Sequence, residues 1–278
     1  MKVIAWFSCG TTSAVACKLA LQKYGKENVD IYYIGIKSAH DDNARFIKDC
    51  EKWYQKEIKT AKSKKYEDQF EVIEDTGYVN GAGGARCTLE LKKEVRFELQ
   101  RKSNYNAQIF GFEFSLKEIN RSIRFTEQYP EVNAEYPLIE QCITKPQCAE
   151  ILLMNGIQLP TMYLLGYNNN NCIGCVKGKK GYWNKIRIDF PEVFDKMAKA
   201  ERIAGHSCIK VDIRQPDGTL KGKPVFLDTL NPNQGRKLKP VVPDCGSLCE
   251  IKFTDIISDK AKEIYKAGKS KSLTPQVE

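Results

Sequence analysis

The sequence has few histidines and no long apolar run. Its 278 residues include two histidines, which argues against a histidine-based zinc hydrolase and against a Ser–His–Asp catalytic triad. No uninterrupted apolar run is long enough to span a membrane. Met1 and Lys2 lead directly into an apolar segment, without the layout of a signal peptide, and no internal repeat is visible. We therefore expect a cytoplasmic protein with no membrane partner.

Basic residues and cysteines, in contrast, are abundant. Lys and Arg number 44 against 35 Asp and Glu, and the net charge of +9 favours a polyanionic ligand, from a nucleotide to a nucleic acid. Eleven cysteines in a reducing cytosol indicate thiols, metal ligands or catalysts rather than disulfides. The cysteines that occur singly are interpreted as small buried side chains: Cys17, Cys50, Cys142, Cys148 and Cys208.

The order of apolar and amphipathic segments predicts an α/β fold. Strand-like runs at 3–7, 29–36, 70–73 and 108–112 each precede a segment with helical periodicity. Such alternation predicts a parallel sheet with helices on both faces. We expect three segments: a nucleotide-binding domain over 1–167, a cysteine-rich metal-binding region over 168–265 and a disordered tail over 266–278.

A turn of small residues separates the first predicted strand from the first predicted helix. Glycine and small hydroxyl residues let the backbone approach an anion, and the free N–H groups of the first helical turn point towards it. An ordinary capped turn is the alternative. The residues that we expect to bind phosphate here are Ser8, Cys9, Gly10, Thr11, Thr12 and Ser13.

Two close cysteine pairs, Cys172–Cys175 and Cys245–Cys249, predict a metal site in the second half of the chain. Thiolates two or three residues apart can bind one metal, and two such pairs complete a tetrahedral sulfur site. Two unrelated reduced pairs, or a redox dithiol at the first pair, are the alternatives. Cys87 follows Arg86 just before a predicted helix, where the helix dipole and the arginine should lower its pKa. Cys87 is therefore a further candidate ligand or nucleophile.

Several motifs occur in a recognisable order along residues 2–178. They are the turn at 8–13, Arg86-Cys87-Thr88 with Lys92-Lys93, the segment 109–113 with Arg121 and Arg124, the segments 136–139 and 159–167, and Cys172–Cys175. This order resembles the phosphoadenosine-phosphosulfate (PAPS) reductase family. That family belongs to the adenine nucleotide α-hydrolase-like superfamily, which also contains the PP-loop ATP pyrophosphatases.

The resemblance implies roles for most of these residues. It implies that 8–13 is the PP-loop and that the nucleotide is also bound by Arg86, Lys92, Lys93, Arg121 and Arg124. It implies that an iron–sulfur cluster (4Fe-4S) is held by Cys87, Cys172 and Cys175; zinc is the other metal considered. Either Cys249 or Cys245 supplies the fourth ligand, or three protein ligands leave one iron open. Asp244-Cys245-Gly246 resembles the motif that carries the reductase nucleophile, so Cys245 is the expected catalytic residue.

The sequence also departs from the family pattern. Cys9 and Thr12 stand where ATP-cleaving PP-loops have a glycine and an aspartate, which favours a sulfonucleotide over Mg-ATP. Cluster-bearing reductases have paired cysteines where this chain has Arg86-Cys87. The segment 179–243 matches no part of the family.

We therefore expect an oxidoreductase of the sulfonucleotide reductase type. A thiolate attacks the sulfur of bound PAPS, and the PP-loop with the basic residues neutralises the leaving phosphate oxygens. Further expected partners are a thiol reductant or sulfur donor and a second copy of the chain in a homodimer.

Two other functions stay open at this point. One is an ATP- and Mg-dependent adenylating PP-loop enzyme that transfers sulfur or an amine, with nucleic acid as a candidate acceptor. The other is a nucleotide- or nucleic-acid-binding protein with structural zinc and no turnover. In that protein, Lys177, Lys179 and Lys180 would contact phosphates, while Tyr182 and Trp183 stack on bases or pack a small metal domain.

Overall fold

A five-stranded parallel sheet forms the centre of the protein, in a computed structural model that describes residues 1–81 and 84–242. The strand order is β3-β2-β1-β4-β5. The strands are β1 (Val3–Phe7), β2 (Val29–Ile34), β3 (Ile58–Ala61), β4 (Ala107–Ile109) and β5 (Ala134–Glu135). Strands β6 (Ile209–Arg214) and β7 (Leu220–Val225) form a separate antiparallel pair.

Helices connect and follow the strands of the sheet. They are α1 (Thr11–Tyr24), α2 (Asn43–Tyr54), α3 (Gln69–Thr76), α4 (Arg86–Thr88), α5 (Glu94–Lys102), α6 (Leu116–Gln128), α7 (Pro137–Glu140), α8 (Lys145–Met154), α9 (Thr161–Leu164), α10 (Lys180–Asp189) and α11 (Pro191–Ala204). A π-helical segment, Leu89–Lys93, joins α4 to α5, and a 3₁₀ turn covers Leu227–Thr229. No helix within the described ranges combines the length and apolarity needed to cross a membrane.

Apolar packing on both faces of the sheet confirms the predicted α/β architecture. Successive side chains of a strand point to opposite faces. Phe7 of β1 belongs to a core with side chains of α1, α2 and α8, whereas its neighbour Trp6 packs against the cluster that contains Ile119 of α6. Both layers exclude water from strand β1, whose residues Val3, Ile4 and Ala5 are fully buried.

The chain reverses its direction of travel across the sheet at β1. From β1 it moves outwards through β2 and β3, and it then returns to pair β4 with the other side of β1. Ligands of open α/β sheets bind beyond the carboxyl ends of the strands at such a point. A ligand site is therefore expected at the segments that follow β1 and β4.

One predicted strand in the first half is wrong, and one observed strand was not predicted. The apolar run 70–73 is not a strand but part of α3, because the Asp68 side chain accepts hydrogen bonds from the amides of Phe70 (2.8 Å) and Glu71 (3.1 Å) and so caps a helix. The third strand is instead Ile58–Ala61, which pairs with β2 at the sheet edge.

The second half of the described chain adds helices and a hairpin to the sheet. Helix α11 covers Pro191–Ala204, and Gly218 turns between β6 and β7 with φ +82°. A second apolar cluster joins Met162 and Tyr167 to Trp183 and later residues. The boundary at 167 therefore has packed side chains on both sides, and the three-segment division stays a prediction.

Candidate functional site

A cavity of about 520 Å³ lies at the carboxyl edge of the sheet. Its walls include Phe7 and Ser8 at the end of β1, Tyr33 and Ile34 of β2, and Phe110 just after β4. This is the place where the strand order reverses and where parallel sheets bind ligands. The cavity is large enough for a nucleotide-sized molecule.

The small-residue turn predicted to bind phosphate forms one corner of this cavity. Ser8 lines the cavity, whereas Thr11 is fully buried and Ser13 is 3% exposed. The Ser13 hydroxyl accepts from the Ser8 amide (3.0 Å) and donates to the Gly10 carbonyl (2.9 Å). It therefore holds the turn together. Gly10 at the N-terminus of α1 forms no side-chain capping hydrogen bond. The amides of the first helical turn are therefore available to an anion.

Cys9 adopts a backbone conformation that normally favours glycine. Its φ is +55°, which costs an L-residue about 1–2 kcal/mol. Its side chain is fully buried, and burial raises the pKa of its thiol far above the usual range. The Cys9 carbonyl accepts a hydrogen bond from Asn170 Nδ2 at 2.7 Å, and the same nitrogen lies 2.7 Å from Asn43 Oδ1. Asn170 thus fixes the turn from the opposite side of the cavity.

Gly111 allows the segment after β4 to lie directly on the phosphate turn. A Cβ at this position would lie 2.6 Å from Ser13 Cα and 2.8 Å from Ser13 N. Both contacts are with backbone, so no side chain can rotate away. The close approach brings Phe110 and Phe112 to the cavity beside Ser8.

The wall opposite the sheet edge is strongly cationic. The basic residues that line the cavity are Lys92, Lys93, Arg96, Arg121, Arg124 and Lys177. No Asp or Glu lines it among residues 1–81 and 84–242. Arg121 Cζ lies 4.2 Å from the ring centroid of Phe112, and Lys93 Nζ lies 3.3 Å from Tyr129 Oη. The wall therefore suits a ligand with more than one negative charge.

The predicted basic residues do not all reach this wall. Lys92, Lys93, Arg121 and Arg124 lie in it, brought together from the π-helical segment and α6. Arg86 is not a lining residue; its guanidinium pairs with Glu90 at 2.7 Å and is half exposed. Arg96 and Asn170 line the cavity although the sequence reasoning did not select them. The one-turn spacing from Lys92 to Arg96 was an available signal, because residues four apart share a helix face.

The Cys172–Cys175 segment forms a tight turn against the cavity. Cys172 lines the cavity, and Gly174 turns the backbone with φ +75°. The Tyr182 hydroxyl accepts from the Cys175 amide (2.9 Å) and donates to the Cys172 carbonyl (3.3 Å). The turn is thus held in place by one aromatic side chain.

The cysteine thiols near this turn are buried and influence one another. The pKa of Cys87 is raised to about 11, chiefly by burial and then by nearby Cys175 and Cys172, against the lowering effect of Lys177 and Lys92. The expectation of a lowered pKa is therefore wrong, because desolvation outweighs the neighbouring cations.

Cys208 belongs to the same neighbourhood, which sequence reasoning did not foresee. Burial and then Glu201 raise the pKa of its thiol, with further contributions from Cys175 and Cys87. Within residues 1–81 and 84–242, no three His, Cys, Asp or Glu side chains are arranged to hold a metal ion. The predicted nucleophile Cys245 and predicted ligand Cys249 lie outside the described residues.

The aromatic residues after the basic run are not free to stack on bases. Trp183 is fully buried in the second apolar cluster, and Tyr182 is engaged with the cysteine turn. Of the two roles considered for them, the structure favours packing. Lys177 still lines the cavity.

Comparisons with known proteins return little. No protein-family model matches the chain, and no curated protein matches it. Among solved structures, it is similar to a phosphoadenylyl-sulfate (PAPS) reductase from Candida auris in a phosphate complex. The two are 14% identical over 62% of this chain and 81% of that chain, with a TM-score of 0.45. Similarity at this level assigns neither fold nor activity, so the function has to be argued from this chain's own residues.

Proposed function

We propose that the chain binds an adenine sulfonucleotide such as PAPS and reduces its sulfuryl group. The observation that carries this proposal is the composition of the cavity wall. It joins a phosphate-type turn at Ser8 to six basic side chains, with a thiol at Cys172 and no carboxylate from the described residues. A polyanion is favoured, and Mg²⁺, which prefers carboxylate oxygens, has no such ligand there.

The proposed reaction is a two-electron reduction by thiols. A thiolate attacks the sulfuryl sulfur, the bond from that sulfur to the phosphate oxygen breaks, and the nucleotide leaves as an oxyanion. A second thiol then attacks the cysteine sulfur, which gives a disulfide and releases sulfite. An external thiol reductant restores the dithiol. The helix amides and the basic wall stabilise the charge on the leaving phosphate.

Two cysteines are the proposed thiol positions. Cys245 stays the proposed nucleophile on sequence grounds, and Cys172 is the thiol that lines the cavity in the described part of the chain. Cys172→Ser and Cys245→Ser separate them: loss of sulfite release with the bound metal retained identifies a reacting thiol, whereas loss of both identifies a metal ligand. Cys142→Ser is the matched control, since Cys142 is neither a proposed reacting thiol nor a proposed metal ligand.

A cysteine-ligated metal centre is the second part of the proposal. Cys87, Cys172 and Cys175 would be three ligands of an iron–sulfur cluster or zinc, and either Cys249 or Cys208 the fourth. The side chains of this set that the structure describes are not arranged to hold a metal ion, so they would have to move for one to bind. Metal and sulfide analysis of anaerobically purified protein tests this part, and Cys208→Ala against Cys249→Ala identifies the fourth ligand. Wild-type protein without metal contradicts it.

The activity is tested by incubating the full chain with PAPS and a dithiol reductant. We expect sulfite and adenosine 3′,5′-bisphosphate in equal amounts. Lys93→Ala should slow the reaction by about tenfold or more, since it removes one charge from the wall, while the exposed Lys199→Ala should not. Pyrophosphate release from ATP without sulfite would favour the adenylating alternative. If the chain turns over neither PAPS nor ATP, the remaining alternative is a nucleotide- or nucleic-acid-binding protein without turnover.

A further inference from the structure

Arg96 of α5 is a partly buried cation surrounded by aromatic rings at the edge of the cavity. Its guanidinium carbon Cζ lies 4.9 Å from the ring centroid of Phe97, 5.1 Å from those of Phe125 and Tyr129, and 6.0 Å from that of Phe110. These rings come from α5, α6 and the segment after β4. The same arginine lines the cavity.

Two of the three guanidinium nitrogens lack hydrogen-bond partners, although Tyr129 hydrogen-bonds to the group and the charge of Glu131 favours its cationic form. Nε and Nη2 are both buried and have no partner among the described residues. They form one edge of the guanidinium, whose parallel N–H groups match the oxygens of a carboxylate or phosphate. Burial also lowers the pKa of Arg96 from its ordinary value, as expected for a desolvated cation.

Burying these N–H groups lowers the stability of the folded protein unless another group supplies their hydrogen bonds. Ring faces attract a cation, but they do not replace the hydrogen bonds that water gave to its N–H groups. A buried charge is normally paired. The charge of Glu131 acts on Arg96, but no carboxylate of the described residues forms an ion pair with it or lines this cavity. The missing partner is therefore expected to enter with the ligand.

Arg96 and the phosphate turn belong to different elements that line the same cavity. The turn at Ser8 follows β1, whereas the rings around Arg96 come from α5, from α6 with the residue after it, and from the segment after β4. An anion at Arg96 would use the donors of one side chain of α5, and an anion at the turn would use the amides of α1. One ligand in the cavity can satisfy both if it carries two separated anionic groups.

We infer that Arg96 recognises a second phosphoryl or sulfuryl group of the nucleotide, apart from the group bound at the Ser8–Ser13 turn. This inference rests on the proposed nucleotide-binding function and adds a specificity-determining residue to it. Nε and Nη2 are buried, so an anion can reach them only if the Arg96 side chain turns into the cavity that it already lines. The ligand then supplies the hydrogen bonds that the ligand-free protein lacks.

Calorimetric titration with two commercial nucleotides tests the inference. Adenosine 5′-monophosphate carries one phosphate group, and adenosine 3′,5′-bisphosphate carries two. The wild-type chain should bind the bisphosphate at least about tenfold more tightly, the factor expected for charge-assisted hydrogen bonds. Arg96→Met should remove most of that difference and change monophosphate binding little. Arg96→Lys should restore part of it, because it keeps the charge without the planar fork. Arg101→Met, at an exposed position of the same helix, is the matched control and should bind both ligands as wild type does.

Unfolding of the ligand-free variants by urea supplies a readout that separates recognition from a structural role. Arg96→Met should unfold at about the same urea concentration, because the lost ring contacts are offset by removal of two buried N–H groups without hydrogen-bond partners. A clear loss of stability together with equal weakening of both nucleotides would assign Arg96 a structural role and overturn the inference. Equal affinity of the wild type for both nucleotides would also overturn it, while leaving the proposed function intact. Failure to bind either nucleotide would refute the proposed function itself.

Discussion

Replacing Gly111 with alanine places a methyl group against the backbone of the phosphate turn. The added carbon would lie 2.6 Å from Ser13 Cα, 2.8 Å from Ser13 N and 3.0 Å from the Thr12 carbonyl carbon. Non-bonded carbons prefer about 3.5–4.0 Å, so one segment must move by about 1 Å. β4 is paired with β1, and α1 is packed in the main core, so neither can move freely. We expect Gly111→Ala to lower the free energy of unfolding by about 1–3 kcal/mol.

The same substitution should weaken anion binding, because the displaced segment carries the amides that we propose bind the phosphate. Urea unfolding measures the first effect, and titration with adenosine 5′-monophosphate measures the second. Gly35→Ala is the matched control: its new methyl group would meet Lys62 and Thr60 side-chain carbons at 3.4 Å, and these can shift. We expect the control to stay within about 0.5 kcal/mol of wild type. Wild-type stability and affinity in Gly111→Ala would refute the close contact between the β4 segment and α1.

Three further predictions concern single side chains. Cys9→Gly should be more stable than Cys9→Ala by about 1 kcal/mol in urea unfolding, because both lose the sulfur but glycine accepts the positive φ of this position without strain. Hydrogen bonding to Arg45 lowers the pKa of Asp42 from 3.8 to about 2, so its stabilisation is complete above pH 4 and is lost as the pH falls towards 2. Asp42→Asn should therefore be less stable than wild type at pH 7, and a pH series of urea unfolding should find the difference shrinking over that interval. Tyr182→Phe leaves the Cys175 amide without its partner and should cost about 1–3 kcal/mol in the same assay, with Tyr78→Phe as a control; an unchanged midpoint would contradict the role given to this hydroxyl.

The sheet was predictable from sequence because its central strands are buried on both sides. Runs such as Val3–Phe7 are continuously apolar, and the helices between them have their own periodicity, so the α/β alternation survives errors in single elements. The edge strand Ile58–Ala61 was missed because two of its four residues are exposed. Four apolar residues at 70–73 fit either a strand or a helix, and the Asp68 cap decided between them.

The site was only partly predictable, for a different physical reason. Lys92, Lys93, Arg121 and Arg124 could be selected from their order in the chain, and they do line one cavity. The significance of Arg96 depends on rings from two other elements and on hydrogen bonds that are absent, neither of which a linear pattern contains. Their binding roles, like those of the turn residues, stay predictions.

The segment before and within the cysteine turn is fastened to the loops that follow the first two strands. Asn170 bonds the Cys9 carbonyl, the Ile173 amide donates to the Ser38 carbonyl at 2.8 Å, and Gln69 Nε2 donates to the Ile173 carbonyl at 2.9 Å. Because of these hydrogen bonds, a displacement of the cysteine turn would also move the backbone at Cys9. If the proposed nucleotide binds there with an affinity that depends on the state of the cysteines, thermodynamic reciprocity requires its binding to change the equilibrium of the cysteines by the same factor. The hydrogen bonds are a direct structural connection between the cysteine turn and the proposed phosphate site.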